Sequence, residues 1–188
     1  SSLATQELSD LSTWVNGNIE LVSKGGSISL EDGLPSNGVA VQANGSGTVL
    51  LKTLGSASDI IATADIVSGS GSIDLLAARS ANLSAAVDIR TLAAVYVLAT
   101  AGNVVMPDAR ISSGSSHVTV IAEGTLVPGV VQTTGEFSMD VGATGEVVFN
   151  RPVDRLGENI IVSSNSVDIF DSLLSLGADL VVAPLPSA

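Results

Sequence analysis

Few side chains in this sequence are of the kinds that do chemistry, and their spacing limits what each could do. His117 is the single imidazole and stands beside Ser115, Ser116 and Thr119, the elements of a base and a nucleophile. The same serines belong to an SGSS turn that returns as SGSG at residues 68–71, so a structural turn with an exposed histidine is the simpler reading. Paired carboxylates are the second candidate, since acids stacked one turn apart, with Arg or Lys close by, would suit an acidic polysaccharide. Asp65 and Asp88 precede Ile66 and Ile89 at equivalent places, but Arg110 takes the next such place, which reads as a ladder of opposite charges. The segment KGGSISLED at residues 24–32 has the double glycine of a calcium-binding nonapeptide and lacks the rest of that motif. No phosphate loop, zinc spacing or dinucleotide fingerprint occurs. No residue is assigned a catalytic, cofactor-binding or metal-binding role, and a non-enzymatic protein is expected.

The elements that would position these residues repeat. ADIVSGSGSIDLLAA, AVDIRTLAAVYVLATA and ARISSGSSHVTVIAEG share one pattern, and their strand starts Ile73, Val95 and Val118 recur at almost equal intervals. Alternating strands at that period with no helical segment between them predict an all-β chain. The expected fold is a right-handed parallel β-helix, or β-solenoid, of about eight coils of 20–23 residues, with starts near Gly17, Asn37, Ser58, Ala81, Gly102, Glu123, Gly145 and Ser166. One domain over residues 1–188 is expected: 1–16 as an N-terminal cap or partial coil, 17–182 as stacked coils, 183–188 as an exit carrying two prolines. Trp14 is expected as a partly covered end plug. The phase of the first two coils is ambiguous by half a turn.

GNIEL, NGVAV, GNVVM and GEVVF are assigned to one strand column. GSISL, GTVLL, GSIDL, HVTV, EFSMD and NIIV are assigned to a second, and Ile66, Ile89, Ile111, Val131, Val153 and Leu174 mark a shorter third. The expected inward ladder of the second column is Ile28, Val49, Ile73, Val95, Val118, Phe137, Ile160 and Leu180. Its outward partners are Ser29, Leu50, Asp74, Tyr96, Thr119, Ser138, Ile161 and Val181, among which no two neighbours are both acids. Gly or Asn before each strand is expected to turn the corner through positive φ.

The apolar residues are 45% of the chain while aromatics are 3%, which suits narrow aliphatic layers. A net charge of −12 with seven basic residues argues against nucleic acid, because phosphate binding needs clustered Lys and Arg. Without cysteine there is no disulfide framework or thiolate metal site. No apolar run is long enough for a transmembrane helix, and the opening SSLATQ reads as an excised or processed piece.

GNIELVSKGGSISL, DIVSGSGSIDLLAA and GNVVMPDARISSGSSHVTVIAEG resemble the degenerate coils of filamentous-haemagglutinin-like exoproteins and other giant bacterial surface adhesins. That resemblance implies a segment of a long extracellular or cell-surface stalk or filament, structural or adhesive in function. The alternative, from another class, is a carbohydrate-active β-helix, a polysaccharide lyase or hydrolase. Expected partners are protein, either a copy of itself or neighbouring segments of the parent, or a cell-surface glycan, without nucleic acid or membrane insertion. Outward apolar residues at Tyr96, Val105, Val148, Ile161 and Val181 form the candidate interaction surface, unless a one-residue slip turns them inward.

Overall fold

The structure, a computed structural model, describes residues 10–34, 36–83, 87–149 and 160–164 in full, together with the strand backbones Val153–Leu156, Val167–Ile169, Leu173–Leu176 and Leu180–Ala183. Every described element is a β-strand, and every described pairing between strands is parallel. The strands lie in three large sheets in which hydrogen-bonded neighbours are three elements apart in sequence, the topology of a parallel β-solenoid.

An eight-stranded sheet runs through Ile19–Ser23, Val49–Thr53, Ile73–Ala77, Val95–Ala99, Val118–Ala122, Phe137–Val141, Ile160–Ser163 and Leu180–Ala183. A six-stranded sheet contains Leu11–Ser12, Val39–Ala43, Asp65–Ser68, Asp88–Thr91, Arg110–Ser113 and Val130–Gln132. A seven-stranded sheet contains Ile28–Leu30, Ile60–Ala62, Ala81–Leu83, Val104–Val105, Leu126–Val127, Val147–Phe149 and Val167–Ile169.

The plan repeats in about five turns, between Val39 and Phe149, and not in eight. Among the described residues only the longest sheet has eight strands. The six-stranded sheet ends there at Gln132, and the later strands Val153–Leu156 and Leu173–Leu176 pair with each other in a separate two-stranded sheet. In that sheet Val153 faces Leu173 and Asp154 faces Leu174, so Val153 and Leu174 do not share a position.

The core is the space enclosed by the sheets. From Val49–Thr53 to Phe137–Val141 the five-residue strands of the long sheet alternate between buried and half-buried residues, so Ile73, Leu75 and Ala77 point inward while Asp74 and Leu76 point out. The inward ladder at its centre is Ile19, Val49, Ile73, Val95, Val118, Phe137 and Ile160, with Leu180 in backbone register. Ile19 therefore holds the place expected for Ile28, which lies in the seven-stranded sheet beside Ile60. The cause is loop length: Ile19 and Val49 stand farther apart along the chain than any later pair of ladder neighbours, and the excess lies in the connection between Leu30 and Val39. The regular period cannot span it, which also explains why GNIEL, NGVAV and GNVVM fall in three different sheets.

The corners turn mainly by close approach. Positive φ occurs, among the described residues, only at Asn16, Gly38 and Gly45. At most of the other corner glycines, Gly25 and Gly26 excepted, there is no room for a side chain: a Cβ at Gly71 would stand 2.1 Å from the Gly47 carbonyl oxygen, and one at Gly47 equally close to that of Gly17. Beneath this stack runs a column of hydroxyls that sequence reasoning missed. The side chains of Ser68, Thr91, Ser113 and Thr133 donate to the carbonyls of Gly47, Gly71, Ala93 and Ser116 at 2.7, 2.6, 2.9 and 2.6 Å. Each stands shortly before the next long-sheet strand, a placement that was visible in the sequence. Buried hydroxyls are stable there because each satisfies a backbone acceptor.

Candidate functional site

His117 lies exposed in the turn before Val118–Ala122. Its carbonyl accepts the Val95 amide at 3.2 Å. The Ser116 carbonyl accepts the hydroxyls of Ser113 and Thr133. Among the described residues no hydrogen bond joins the imidazole to Ser115 or Ser116, and the serine turn serves the corner.

The carboxylates are drawn together differently from the expected charge ladder. Asp88 does face Arg110 in register, but the cation that joins the acids is Arg90, 3.0 Å from the Asp65 carboxylate and 3.5 Å from that of Asp88. Arg90 occupies the next outward position of the same strand, where a long side chain reaches back across one turn. Asp65 also accepts the Asp88 amide at 2.9 Å. Arg110 makes no ion pair among the described residues.

A second ion pair was not anticipated from the sequence. Arg79 grips Asp59 with both branches of its guanidinium, through Nε to Oδ1 at 2.7 Å and through a second bond to Oδ2. The Ser80 amide donates to the same carboxylate at 3.0 Å. Asp59 is 7% exposed, and the hydrogen bonds from Arg79 hold its carboxyl below the usual carboxylate range. Asp32 is also held low, first by the Ser36 hydroxyl, in a loop where Asp10 receives the Gly33 amide. No three His, Asp or Glu side chains converge as a metal set among the described residues.

The broadest feature is the outer face of the eight-stranded sheet. Each strand from Ile19–Ser23 to Ile160–Ser163 offers two outward positions, so the face carries two parallel ladders. The first is Glu20, Leu50, Asp74, Tyr96, Thr119, Ser138 and Ile161, with Glu20 where Ser29 was expected. The second is Val22, Lys52, Leu76, Leu98, Ile121, Asp140 and Ser163. Leu76, Tyr96, Leu98 and Ile121 adjoin one another and are half-buried. Beside them a shallow groove of about 310 Å³ is lined by Lys52, Leu54, Leu76 and Leu98. Asp140 has one carboxylate oxygen buried without a hydrogen-bond partner among the described residues.

The five residues of the expected surface divide between two sheets. Tyr96 and Ile161 are half-buried on the long-sheet face, and Val181 pairs with Ile161 in backbone register, its side chain outside the described residues. Val105 and Val148 are half-buried on the seven-stranded sheet, with Val127 between them. Leu76, Leu98 and Ile121 went unread, because the second outward ladder becomes evident only when strands are placed in register. Trp14 is 92% exposed and plugs nothing among the described residues. No family model, curated protein or solved structure matches the chain.

Proposed function

We propose that this chain is a non-enzymatic structural or adhesive segment of a large secreted or cell-surface bacterial protein, built as a right-handed parallel β-helix. The observation that carries the reading is the half-apolar outer face of the long sheet, where side chains from successive turns form a broad surface instead of a catalytic cleft. Right-handedness is the preference of parallel strand crossovers in general. The partners of such a segment are protein or a cell-surface glycan, and its place is outside the cell.

One observation favours a second reading, a carbohydrate-active β-helix: Asp65, Asp88 and Arg90 stand together with two acids on adjacent turns. A single preparation tests both. Fluorescently labelled chain is offered to cells and to arrayed glycans, and in parallel is incubated with acidic polysaccharides while reducing ends and unsaturated uronates are measured. Saturable binding that unlabelled chain competes away, without product release, supports the structural or adhesive reading. Product release that Asp65→Asn and Asp88→Asn abolish would overturn it in favour of the enzyme.

A further inference from the structure

We infer that the outer face of the eight-stranded sheet is a self-complementary interface, and that its occupant is a second copy of this chain packed face to face with its turns running in the opposite direction. The inference deepens the reading above by naming its protein partner. It rests on the order of side chains along the second outward ladder: Lys52, Leu76, Leu98, Ile121, Asp140. Leu98 is the middle of these five.

A two-fold axis that lies in the interface, parallel to the strands and over Leu98, inverts this order. Lys52 of one copy then meets Asp140 of the other, twice, and Leu76 meets Ile121, twice. Leu98 meets its own copy at the axis. On the first ladder Tyr96 meets Tyr96 and Asp74 meets Thr119, a hydroxyl that can donate to it. Along these two ladders, from Glu20 to Ser163, no acid faces an acid. The other two-fold available to a pair of stacked faces runs along the solenoid axis. It exchanges the ladders within each turn, so Lys52 faces Leu50 and Asp140 faces Ser138, while like charges of the two copies lie side by side. The charge order selects the first arrangement.

Two further observations fit. Asp140 has one carboxylate oxygen that is buried and has no hydrogen-bond partner among the described residues, and a cation beside this carboxylate would offset that cost. Lys52 makes no ion pair among the described residues. Within one chain the two residues are four strands apart, about 19 Å at ordinary strand spacing, and cannot pair. The seven strands from Ile19–Ser23 to Ile160–Ser163, of about five residues each, offer roughly 550 Å² per copy, somewhat under the ~800 Å² of a standard interface, so a weak and reversible association is expected.

The test is sedimentation equilibrium of the full chain at ~0.15 M salt, where the net charge of −12 on each chain is screened beyond about 8 Å. The wild type is expected to pass from monomer to dimer with rising concentration. Lys52→Glu and Asp140→Lys should each weaken the dimer at least about tenfold, and the charge-swapped double variant should recover most of the loss. Leu98→Glu, which places two carboxylates at the axis, should leave only monomer. Circular dichroism melting confirms that each variant, altered only at an outward position, stays folded. A chain monomeric up to about 0.5 mM, or a dimer indifferent to the single charge changes, or a double variant no better than the singles, would overturn the inference. A monomeric chain that still coats cells would remove the dimer and leave the adhesive reading standing.

Discussion

From Val49 through Ile73, Val95 and Val118 to Phe137 the inward ladder of the long sheet advances by a nearly even step, whereas the step from Ile19 to Val49 is longer than any of these. The two regions close their turns with different lengths of chain and largely the same kinds of bond. In the regular region corner amides bind carbonyls of the preceding turn, as Ser70 does with Gly45 at 2.7 Å and Leu92 with Gly69 at 3.0 Å. The glycines between them are held at backbone contact. In the long first turn side chains supply many of the acceptors. Asn16 takes the Ser46 amide, Asn18 that of Thr48, Asp10 that of Gly33 and Asp32 that of Asn37, at 2.9 to 3.0 Å. Regular turns use the same device between turns, Asp59 taking the Ser80 amide and Asn103 that of Thr125, so what sets the first turn apart is its long connection after Leu30. There Asp10 and Asp32 take the amides that no neighbouring strand pairs.

Core substitutions should show the contrast most strongly. Ile73 is fully buried between Val49 and Val95, so Ile73→Asp places an unpaired carboxylate in a closed ladder and should cost about 4 kcal/mol or more, or prevent folding. Ile19 has a described ladder neighbour on one side only and is 9% exposed, and Ile19→Asp should cost clearly less. Denaturant melts of the two variants decide the matter. Equal costs would mean that the first turn is enclosed as fully as the middle.

The next largest effect concerns the corners. Gly71→Ala drives a Cβ into the Gly47 carbonyl and should cost about 1–3 kcal/mol. Gly25, in the first turn, has nothing within 4 Å of such a Cβ among the described residues, and Gly25→Ala should change stability by less than about 0.5 kcal/mol. A mild Gly71→Ala would show that the stack yields readily, and corner packing would lose its role in the comparison.

Asp59 joins the second turn to the third through Arg79 and Ser80. Asp59→Asn should lower stability by about 1–2 kcal/mol near neutrality, a modest figure because the Arg79 side chain is 49% exposed. The carboxyl is held below its ordinary 3.8, so the folded state favours the ionised form. The stabilisation is therefore complete above that ordinary value and is lost as the pH falls through the lower folded one. Melting curves of wild type and variant should run parallel at neutral pH and converge in acid. A gap that stays undiminished as the pH falls, down to the lowest pH at which both chains remain folded, would assign the effect to shape instead of charge. The smallest effect is expected at outward Asp74, where Asp74→Ala should stay within about 0.5 kcal/mol by the same melts.

Much of the regular region was legible in the sequence. The ladder from Val49 through Ile73, Val95, Val118 and Phe137 to Ile160 follows from alternation and period together, and coil starts from Ser58 onward each precede or open a strand of the seven-stranded sheet. In the first turns the inserted loop shifted the phase, and Ile28 stood in for Ile19. The candidate surface was half legible. Tyr96 and Ile161 could be read as outward apolar residues, but Leu76, Leu98 and Ile121 acquire meaning only as neighbours. Arg90 was missed for a related reason: its partner Asp65 lies a full turn away along the chain, and side-chain reach across a turn has no sequence signature.

The sequence by itself determined that this chain is a β-solenoid and which side chains of its regular strands face inward, because alternation with period two is a property of each strand alone. Tertiary structure decided which sheet each early strand joins, how many turns are regular and which carboxylates share a cation. It also decided that corners close by backbone contact and that two outward ladders form one face. These depend on register between turns, and register is set by loop length and by backbone contacts between residues a whole turn apart, neither of which is written in any single strand.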